Sequence, residues 1–418
     1  MTETRQISPA RVFAWGLAIA ASMAVFPFIH GSRNPHLFLA CLTIAAGAYI
    51  RTLFLLERVS AGSGRALLLC LMLAGFWRLP LLLMPPTLST DVYRYVWDGR
   101  LQRLGYNPYL VVPSDSAHSQ LHTAETRLMN HPELPTPYPA GAELFFRAVT
   151  TVHESARAMK MAATICDAAS VVVLLLWLID SARSPWWVLA YAWNPLVSLE
   201  GAASGHIDLL GTLCLLVAAV SLSRGRRTIP ALAFALGVAV KFLPVVLLPL
   251  LWRRIRIRDA ALALAFLAVL YLPFLHSGGL PVGSLPTYLA KWRINGLLYG
   301  ALQNVFANAA LVALPAICGF AVSLWARVYW PIDSPETWAW PVAVALLFAP
   351  TVFPWYLVWL TPFLFSPGTL PLAVWSVSVL ATYSTLPVWA ASIVEYGALA
   401  ISIGWTIVRG SRLALAPI

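Results

Sequence analysis

The chain has 418 residues, of which 60% are hydrophobic and only 11% are charged. Soluble domains carry about a quarter charged residues, so this composition excludes a soluble globular protein and predicts an all-α polytopic membrane protein. The net charge of +11 is typical of basic cytoplasmic loops. We expect no nucleic-acid binding, because no basic stretch is interleaved with aromatic residues on a soluble face.

Apolar runs recur along the whole length and predict about 13 membrane segments, with a range of about 11 to 15, in one integral membrane domain over residues 1–418. We interpret the first run as an uncleaved helix, because it is long enough to span. The stretches 229–252 and 338–366 are interrupted by proline, and we expect each to form a broken helical hairpin. Unbroken spans are predicted near 12–29, 36–56, 66–84, 156–179, 186–200, 206–223, 259–276, 303–325, 371–388 and 391–408.

Arginines in short loops predict the orientation. Arg11, "SRGRRT" (223–228) and "WRRIRIRD" (252–259) are expected on the cytoplasmic side. The polar segment 85–154 then lies on the outer side as a large loop with short interfacial helices. Lys241 falls at the outer turn of the first broken hairpin, where a buried lysine is costly and indicates function, unless it snorkels to the surface.

The stretch "TDVYRYVWDG" (90–99) begins the outer loop and predicts a helix capped by Thr90 or Ser89. Its polar residues Asp91, Arg94, Tyr95 and Asp98 are spaced i, i+3, i+4 and i+7, on one helical face. This face is either part of a site or an ordinary interfacial helix with an Asp–Arg pair.

Other unusual polar stretches fall on the same outer side: "HPELPTPYPAGAELFF" (131–146), "WNPLVSLEGAASGHIDLL" (193–210) and "KWRINGLLYG" (291–300). Together they predict a site at the outer membrane surface. A carboxylate there could act as general base towards a sugar hydroxyl, and a lysine or arginine could hold a phosphate. These are the groups needed to move a sugar off a lipid phosphate, but they do not distinguish a glycosyltransferase from a transporter or a lipid-modifying enzyme.

Five stretches of the sequence carry a family resemblance: "DVYRYVWDGRLQRLGYNPY", "NHPELPTPYP", "WNPLVSLEGAASGHIDLL", "VKFLP" and "PTVFPWYLVWLTP". In this order they resemble motifs of bacterial GT-C membrane glycosyltransferases, in particular polyprenyl-phosphate-mannose-dependent mannosyltransferase-like proteins. The resemblance covers roughly residues 66–366. It implies transfer of a hexose, with mannose the expected sugar, from a polyprenyl-phosphate donor to an envelope glycan or lipid-linked acceptor. It also implies the bacterial inner membrane, surrounding membrane lipids, and an active site that faces the periplasm.

The resemblance also suggests roles for individual residues. Asp91 matches the family's catalytic acidic residue after a helix, and would be the general base of an inverting displacement. Cofactors and metals are not expected, although Asp91, Asp98, His206 and Asp208 are possible ligands. The donor phosphate would be held by Lys241, Arg293 and Arg94. The sugar or acceptor would be contacted by Asp98, Tyr95, His131, Glu133, Tyr138, Glu200, His206 and Asp208.

Several alternatives stay open. His206 and Asp208 could instead join the outer ends of helices, and His131 and Glu133 could cap a loop. Two extra spans precede the loop compared with many GT-C enzymes. A lipid-linked sugar transporter would need charges along a path to both faces, and Arg78, Lys160 and Asp167 are charges inside spans. A ligase that transfers a whole glycan would share the architecture. Oligomeric state is not predicted.

Overall fold

The computed structural model describes residues 6–29, 34–59, 64–275, 280–306 and 308–414. The expected cytoplasmic N-terminus, residues 1–5, lies outside the described residues. The described chain is helical and contains only isolated β-bridges, without a strand. Its α-helices are α1 Pro9–Val25, α2 Pro35–Leu56, α3 Gly64–Leu83, α4 Asp91–Arg103, α5 Ala140–Val152, α6 Ala156–Asp180, α7 Val188–Ala192, α8 Pro195–Ser198, α9 Asp208–Ser223, α10 Thr228–Val240, α11 Leu248–Leu251, α12 Ile257–Tyr271, α13 Leu285–Lys291, α14 Leu297–Leu302, α15 Asn308–Tyr329, α16 Pro335–Leu347, α17 Leu370–Ser378 and α18 Val388–Ala414.

Seven helical segments within the described residues are long and apolar enough to cross a membrane. A helix of about 20 residues is about 30 Å long, which matches the hydrocarbon core of a bilayer. The all-α polytopic class is therefore confirmed, whereas the total of about 13 segments stays a prediction. The seven are Pro9–Phe28, Pro35–Leu56, Gly64–Leu83, Ala156–Asp180, Ile257–Phe274, Ala310–Tyr329 and Val388–Arg409.

The span predicted near 186–200 is not one continuous helix. It consists of α7, α8 and the π-helix Leu199–Ala203, all buried. The break lies at Asn194, whose side-chain oxygen accepts a hydrogen bond from the Leu196 amide at 3.0 Å. Pro195 then starts α8, where its missing N–H costs nothing. This irregular path carries Glu200 and leads to His206, just before the first residue of α9.

Both proline-containing stretches are interrupted and form no continuous helix. In the first, α10 ends at Val240, Lys241 is extended, and the chain continues as the 3-10 helix Leu243–Leu247 and then α11. In the second, α16 ends at Leu347 and the 3-10 helix Pro354–Phe363 follows. Each interruption turns a short, irregular backbone segment towards the same cavity. Their arrangement as hairpins in the membrane stays a prediction.

The polar segment 85–154 contains α4 and α5, packed closely against each other. A Cβ added at Gly99 would lie only 2.4 Å from the Phe146 carbonyl oxygen, so the contact requires glycine. One turn earlier, the Tyr95 ring stacks on the Phe146 ring with centroids 4.5 Å apart. This packing fixes the direction of α4 and so the position of Asp91 at its first turn.

The charges predicted inside spans have local partners. Arg78 Nε donates to Asp167 Oδ2 at 2.6 Å, which joins α3 to α6. Lys160 Nζ donates to the carbonyl oxygens of Leu81 at 3.0 Å and Met84 at 2.5 Å. Arg78 and Asp167 thus form a buried ion pair, and Lys160 binds carbonyl oxygens at the end of α3. They do not form a row of charges leading from one face to the other.

Candidate functional site

A cavity of about 950 Å³ lies between α4, the break after α10 and the segment after α16. Its polar end is formed by charged, amide and phenol side chains: Asp91, Arg94, Asn130, Tyr138, Lys241 and Tyr356. The other end, which we term the apolar arm, is formed by Val245, Val246, Val312, Pro315, Ala316, Phe320, Ala345 and Leu346. Val312 and Ala316 are exposed along α15. The cavity therefore has the shape and chemistry for an amphipathic ligand with a polar head and an apolar tail.

Asp91 is the first residue of α4, and its carboxylate has two donors. Asn130 Nδ2 donates to one oxygen at 2.7 Å, and the Tyr138 hydroxyl donates to the other at 3.4 Å. Burial raises the pKa of Asp91 above its usual range, whereas the Asn130 hydrogen bond and the Lys241 charge partly oppose that shift. The result is an oriented carboxylate of increased basicity on the cavity wall, which suits a general base.

Arg94 lines the cavity one turn after Asp91. Its Nη2 donates to the His131 carbonyl oxygen at 2.6 Å, and its Nη1 has no hydrogen-bond partner within the described chain. The arginine thus fixes the loop that carries Asn130, and through Asn130 it supports Asp91. A role towards a phosphate stays a prediction.

Lys241 lies at the end of α10 and extends into the polar end of the cavity. Its Nζ donates to Asp208 Oδ1 at 2.7 Å and lies 3.9 Å from the centroid of the Tyr356 ring. The Trp359 indole N–H donates to the same Asp208 oxygen at 2.7 Å. Since an ammonium group has three donors, Lys241 retains capacity for an anion in the cavity.

Asp208 was predicted to contact the sugar, but the structure places it elsewhere. It is 1% exposed and does not line the cavity. The carboxylate is covered by Lys241 and Trp359, which come from two different broken segments. Asp208 therefore positions Lys241 and does not face a ligand directly.

Tyr95, Glu200 and His206 were also expected to contact a ligand, and all three lie buried behind the cavity wall. The Tyr95 hydroxyl is 3.3 Å from His206 Nδ1, and His206 Nε2 is 3.3 Å from Glu200 Oε2. The His206 ring stacks on Trp355, with centroids 4.2 Å apart, and Trp355 lines the cavity. The three residues therefore support the wall from behind.

Asp98 was also expected to contact the sugar or acceptor, but it is completely buried and lies away from the cavity. Seven residues along a helix correspond to about 10 Å, which carries Asp98 from the site into the packing of α4 on α5. Burial raises the pKa of Asp98 to about 7. Burial and the neighbouring Asp98 hold the pKa of Glu143 well above its usual range. Glu143 also accepts from Thr136 Oγ1 at 2.6 Å, so this acid pair joins α4, α5 and the loop between them.

His131, Glu133 and Tyr138 differ in their positions. Tyr138 and His131 line the cavity, whereas Glu133 lies outside it. His131 Nδ1 is 3.2 Å from Glu133 Oε1, and both side chains are at least half exposed. The His131 ring also packs edge-to-face on Trp292, with centroids 4.9 Å apart. His131 therefore belongs to the open mouth of the cavity.

Arg293, predicted to bind the donor phosphate, does not line the cavity. Its guanidinium lies over the Tyr299 ring, 4.9 Å from the centroid, and donates to the Leu289 and Trp292 carbonyl oxygens. The side chain is exposed. Its position in the sequence just after α13 did not indicate the direction of its side chain.

The sequence interpretation missed several cavity residues. Asn130 is the first residue of the motif "NHPELPTPYP", and membership of that motif was its only signal. Trp355 and Tyr356 lie in the second proline-broken stretch, for which the sequence predicts a break but no site residue. Tyr288 and Trp292 come from α13 and its end, where the sequence predicts a role only for the neighbouring Arg293. These aromatic residues all line the cavity.

Comparison with known protein families identifies the class of protein. Residues 10–255, more than half of the chain, match the MptA_B family model, described as alpha-(1->6)-mannopyranosyltransferase, N-terminal domain. The chain therefore belongs to this family of GT-C-type mannosyltransferases, and the resemblance deduced from its motifs is confirmed. Searches of curated proteins and of solved structures returned no match.

Proposed function

We propose that the protein transfers mannose from a polyprenyl-phosphate donor to the 6-hydroxyl of a mannoside acceptor at the outer face of the membrane. Mannosyl transfer by a GT-C enzyme follows from the family. The observation that carries the finer proposal is the cavity itself. A partly buried cation and a carboxylate at one end continue into an apolar arm at the other, which is the chemistry of a lipid-linked sugar phosphate.

The donor's charged group is assigned to Lys241. Its ammonium is held in place by Asp208 and Tyr356, so little is lost in ordering it when an anion binds. The apolar arm would take the first isoprene units of the lipid, and its opening along α15 allows the rest of the tail to remain in the bilayer. A sugar nucleotide would leave the arm unused.

The proposed reaction is a single displacement at the anomeric carbon. The acceptor oxygen forms the new bond to that carbon, while the bond to the phosphate oxygen breaks and its electron pair leaves with the polyprenyl phosphate. The acceptor hydroxyl proton passes to the Asp91 carboxylate. Lys241 stabilises the negative charge that grows on the phosphate. Because one displacement inverts the configuration, an α-(1→6) product requires a β-linked donor.

The outer-face location is supported by the distribution of arginines in short loops. At the end of the molecule away from Asp91, Arg224 pairs with Asp180, and Arg183 lies 4.0 Å from Asp333. Arg327 Nε donates to the Trp252 carbonyl oxygen at 3.3 Å. The junctions after α6, α9 and α15 are therefore all basic, and we assign them to the cytoplasm.

The transporter alternative loses its main support, because the charges that suggested a path across the membrane are in local pairs. Arg78 pairs with Asp167, and Lys160 binds carbonyl oxygens at the end of α3. A ligase for a whole glycan would need space for a large donor head group. The match to a mannopyranosyltransferase family favours transfer of a single sugar.

The test is transfer by the purified protein in proteoliposomes. Labelled β-mannosyl polyprenyl phosphate and GDP-mannose are offered separately, with octyl α-(1→6)-mannobioside as acceptor. We expect transfer only from the lipid-linked donor, and an added α-(1→6) mannose by nuclear magnetic resonance. Transfer from GDP-mannose alone, or no transfer from the lipid donor, would refute the proposal.

A further inference from the structure

We propose that Trp292 binds the acceptor sugar by stacking, and that Glu395 in α18 is the residue that positions it. This inference rests on the proposed function. It assigns a role to a part of the chain that lies beyond the matched family region, residues 10–255.

Trp292 is placed where an acceptor has to enter. It lines the cavity and is half-buried, and it faces His131 on the opposite side of the mouth, with ring centroids 4.9 Å apart. His131 directly follows Asn130, which donates to Asp91. A sugar that enters between the solvent and Asp91 therefore passes Trp292.

The position of Trp292 and the chemistry of its ring both favour the acceptor, and not the donor, as its ligand. In the proposed arrangement the donor phosphate is at Lys241 and its tail is in the apolar arm, so the mouth remains for the second substrate. The attacking hydroxyl must also approach on the side opposite the phosphate. The face of an aromatic ring carries partial negative charge and packs well against the C–H groups of a pyranose. Tyr288, tilted against Trp292 at 5.4 Å, extends this aromatic surface.

The backbone after Trp292 is held in an unusual conformation. Asn295 has φ +56°, in the left-handed region that costs energy for a residue other than glycine. Ile294 is paired with the cavity-lining segment after α16: its amide donates to Pro350 O at 3.1 Å, and its carbonyl accepts from Val352 N at 2.8 Å. Thr351 Oγ1 donates to the Trp292 carbonyl oxygen at 2.8 Å. Trp292 thus belongs to a small, rigid part of the cavity wall.

Glu395 is the residue that holds this conformation. Its carboxylate is fully buried and accepts from Asn295 Nδ2 at 2.7 Å and from Trp375 Nε1 at 2.7 Å. Its neighbour Tyr396 donates its hydroxyl to the Asn295 carbonyl oxygen at 2.5 Å. Burying a carboxyl group in a membrane-spanning helix costs free energy unless the group is hydrogen-bonded, and such residues usually have a function. Here the hydrogen bonds of Glu395 fix the segment that carries Trp292.

The experiment measures KM for octyl α-(1→6)-mannobioside and for β-mannosyl polyprenyl phosphate separately. In Trp292→Ala we expect the acceptor KM to rise roughly tenfold, the scale of one lost aromatic contact, while the donor KM stays within about twofold. Trp292→Phe keeps an aromatic face, so its acceptor KM should lie between that of the wild type and that of Trp292→Ala. Trp389→Ala, which removes an exposed tryptophan outside the cavity, is the matched control and should behave as wild type.

Glu395→Gln tests the positioning role. A glutamine places an N–H group opposite one of the two donors, so one hydrogen bond is lost. We expect a rise in acceptor KM of about threefold, and little further rise when Glu395→Gln is added to Trp292→Ala, because both act on the same contact. The control Glu336→Gln alters another hydrogen-bonded carboxylate, beside Ser366, and should leave both KM values unchanged.

The outcomes separate the two proposals. If the wild type transfers no mannose from the lipid donor, the proposed function fails. If it does transfer mannose, an unchanged acceptor KM in Trp292→Ala, or a rise confined to the donor KM, overturns the inference. If Trp292→Ala does not accumulate in membranes, Trp292→Phe and Glu395→Gln serve as the test. Wild-type acceptor KM values in both of these variants would refute the inference.

Discussion

Replacing Lys241 with methionine removes the charge assigned to the donor phosphate and keeps much of the side-chain volume. It also leaves Asp208, which is 1% exposed, without its cation. Loss of one partner from a buried ion pair costs about 3–5 kcal/mol of stability. The Lys241 side chain itself is 20% exposed, which favours the lower part of that range. A second effect falls on catalysis, because a hydrogen bond to a charged group is worth about 1.5–3 kcal/mol.

The two effects separate in a double variant. Lys241→Met with Asp208→Asn has no uncompensated charge, and the asparagine oxygen still accepts from Trp359. Its thermal stability in detergent should return most of the way to that of the wild type. The value of kcat/KM for the lipid donor should remain lower by roughly 10- to 150-fold, the equivalent of the lost phosphate contact.

The assay combines thermal unfolding with initial rates of mannose transfer at varied donor concentration. Arg293→Ala is the control, because that arginine is exposed outside the cavity, and we expect its donor kcat/KM to stay within about twofold of wild type. If the double variant recovers both stability and kcat/KM, Lys241 acts only as the partner of Asp208. That result would refute its assignment to the phosphate.

Three further predictions follow from the cavity and the acid pair beneath it. The activity should fall at low pH as Asp91 is protonated. Asn130→Ala should move this acid limb of the kcat/KM profile to higher pH, because it removes a donor that stabilises the carboxylate; a limb that does not move would argue against Asp91. The pKa of Asp98 is raised from 3.8 to about 7, so the folded protein binds this proton more tightly than the unfolded chain does. The resulting contribution to stability is present at low pH and is lost as the pH rises through about 7. Asp98→Asn should remove that part of the pH dependence of thermal unfolding. Ala316→Trp narrows the apolar arm and should raise KM for a long-chain donor more than for a short-chain donor; equal effects would place the lipid elsewhere.

The sequence predicted the architecture because its main signals are local. Runs of apolar residues define α1, α2, α3 and α6, and proline defines the breaks after Val240 and Leu347. The spacing of the polar residues also predicted the helix that begins at Asp91. Such signals depend on a few neighbouring residues, and the fold follows them directly.

The periodicity of α4 could not tell which part of its polar face is covered. Asp91 faces the cavity, whereas Asp98, on the same face two turns later, is covered by α5 through the close contact at Gly99. Likewise, Lys241 and Arg293 both lie near ends of helices, but only Lys241 has a partner that turns it into the cavity. The direction of a side chain depends on packing between distant parts of the chain.

Contacts across long stretches of sequence were also invisible. Asn295 and Glu395 are separated by 100 positions, and each alone is an ordinary residue in a mixed segment. The partner of Arg78 is 89 positions away in α6, so the sequence shows the arginine only as a charge inside a span. Pairs of this kind decide which charges are structural and which remain available to a ligand.

The most direct test of the account compares wild type with Asp91→Asn at matched expression in proteoliposomes. The substitution keeps the volume of the side chain but removes the base, while Lys241 and the apolar arm remain to bind the donor. We predict that transfer of labelled mannose from β-mannosyl polyprenyl phosphate is reduced by at least about 100-fold, with binding of the donor retained. Wild-type rates in Asp91→Asn would contradict the proposed chemistry at its central residue.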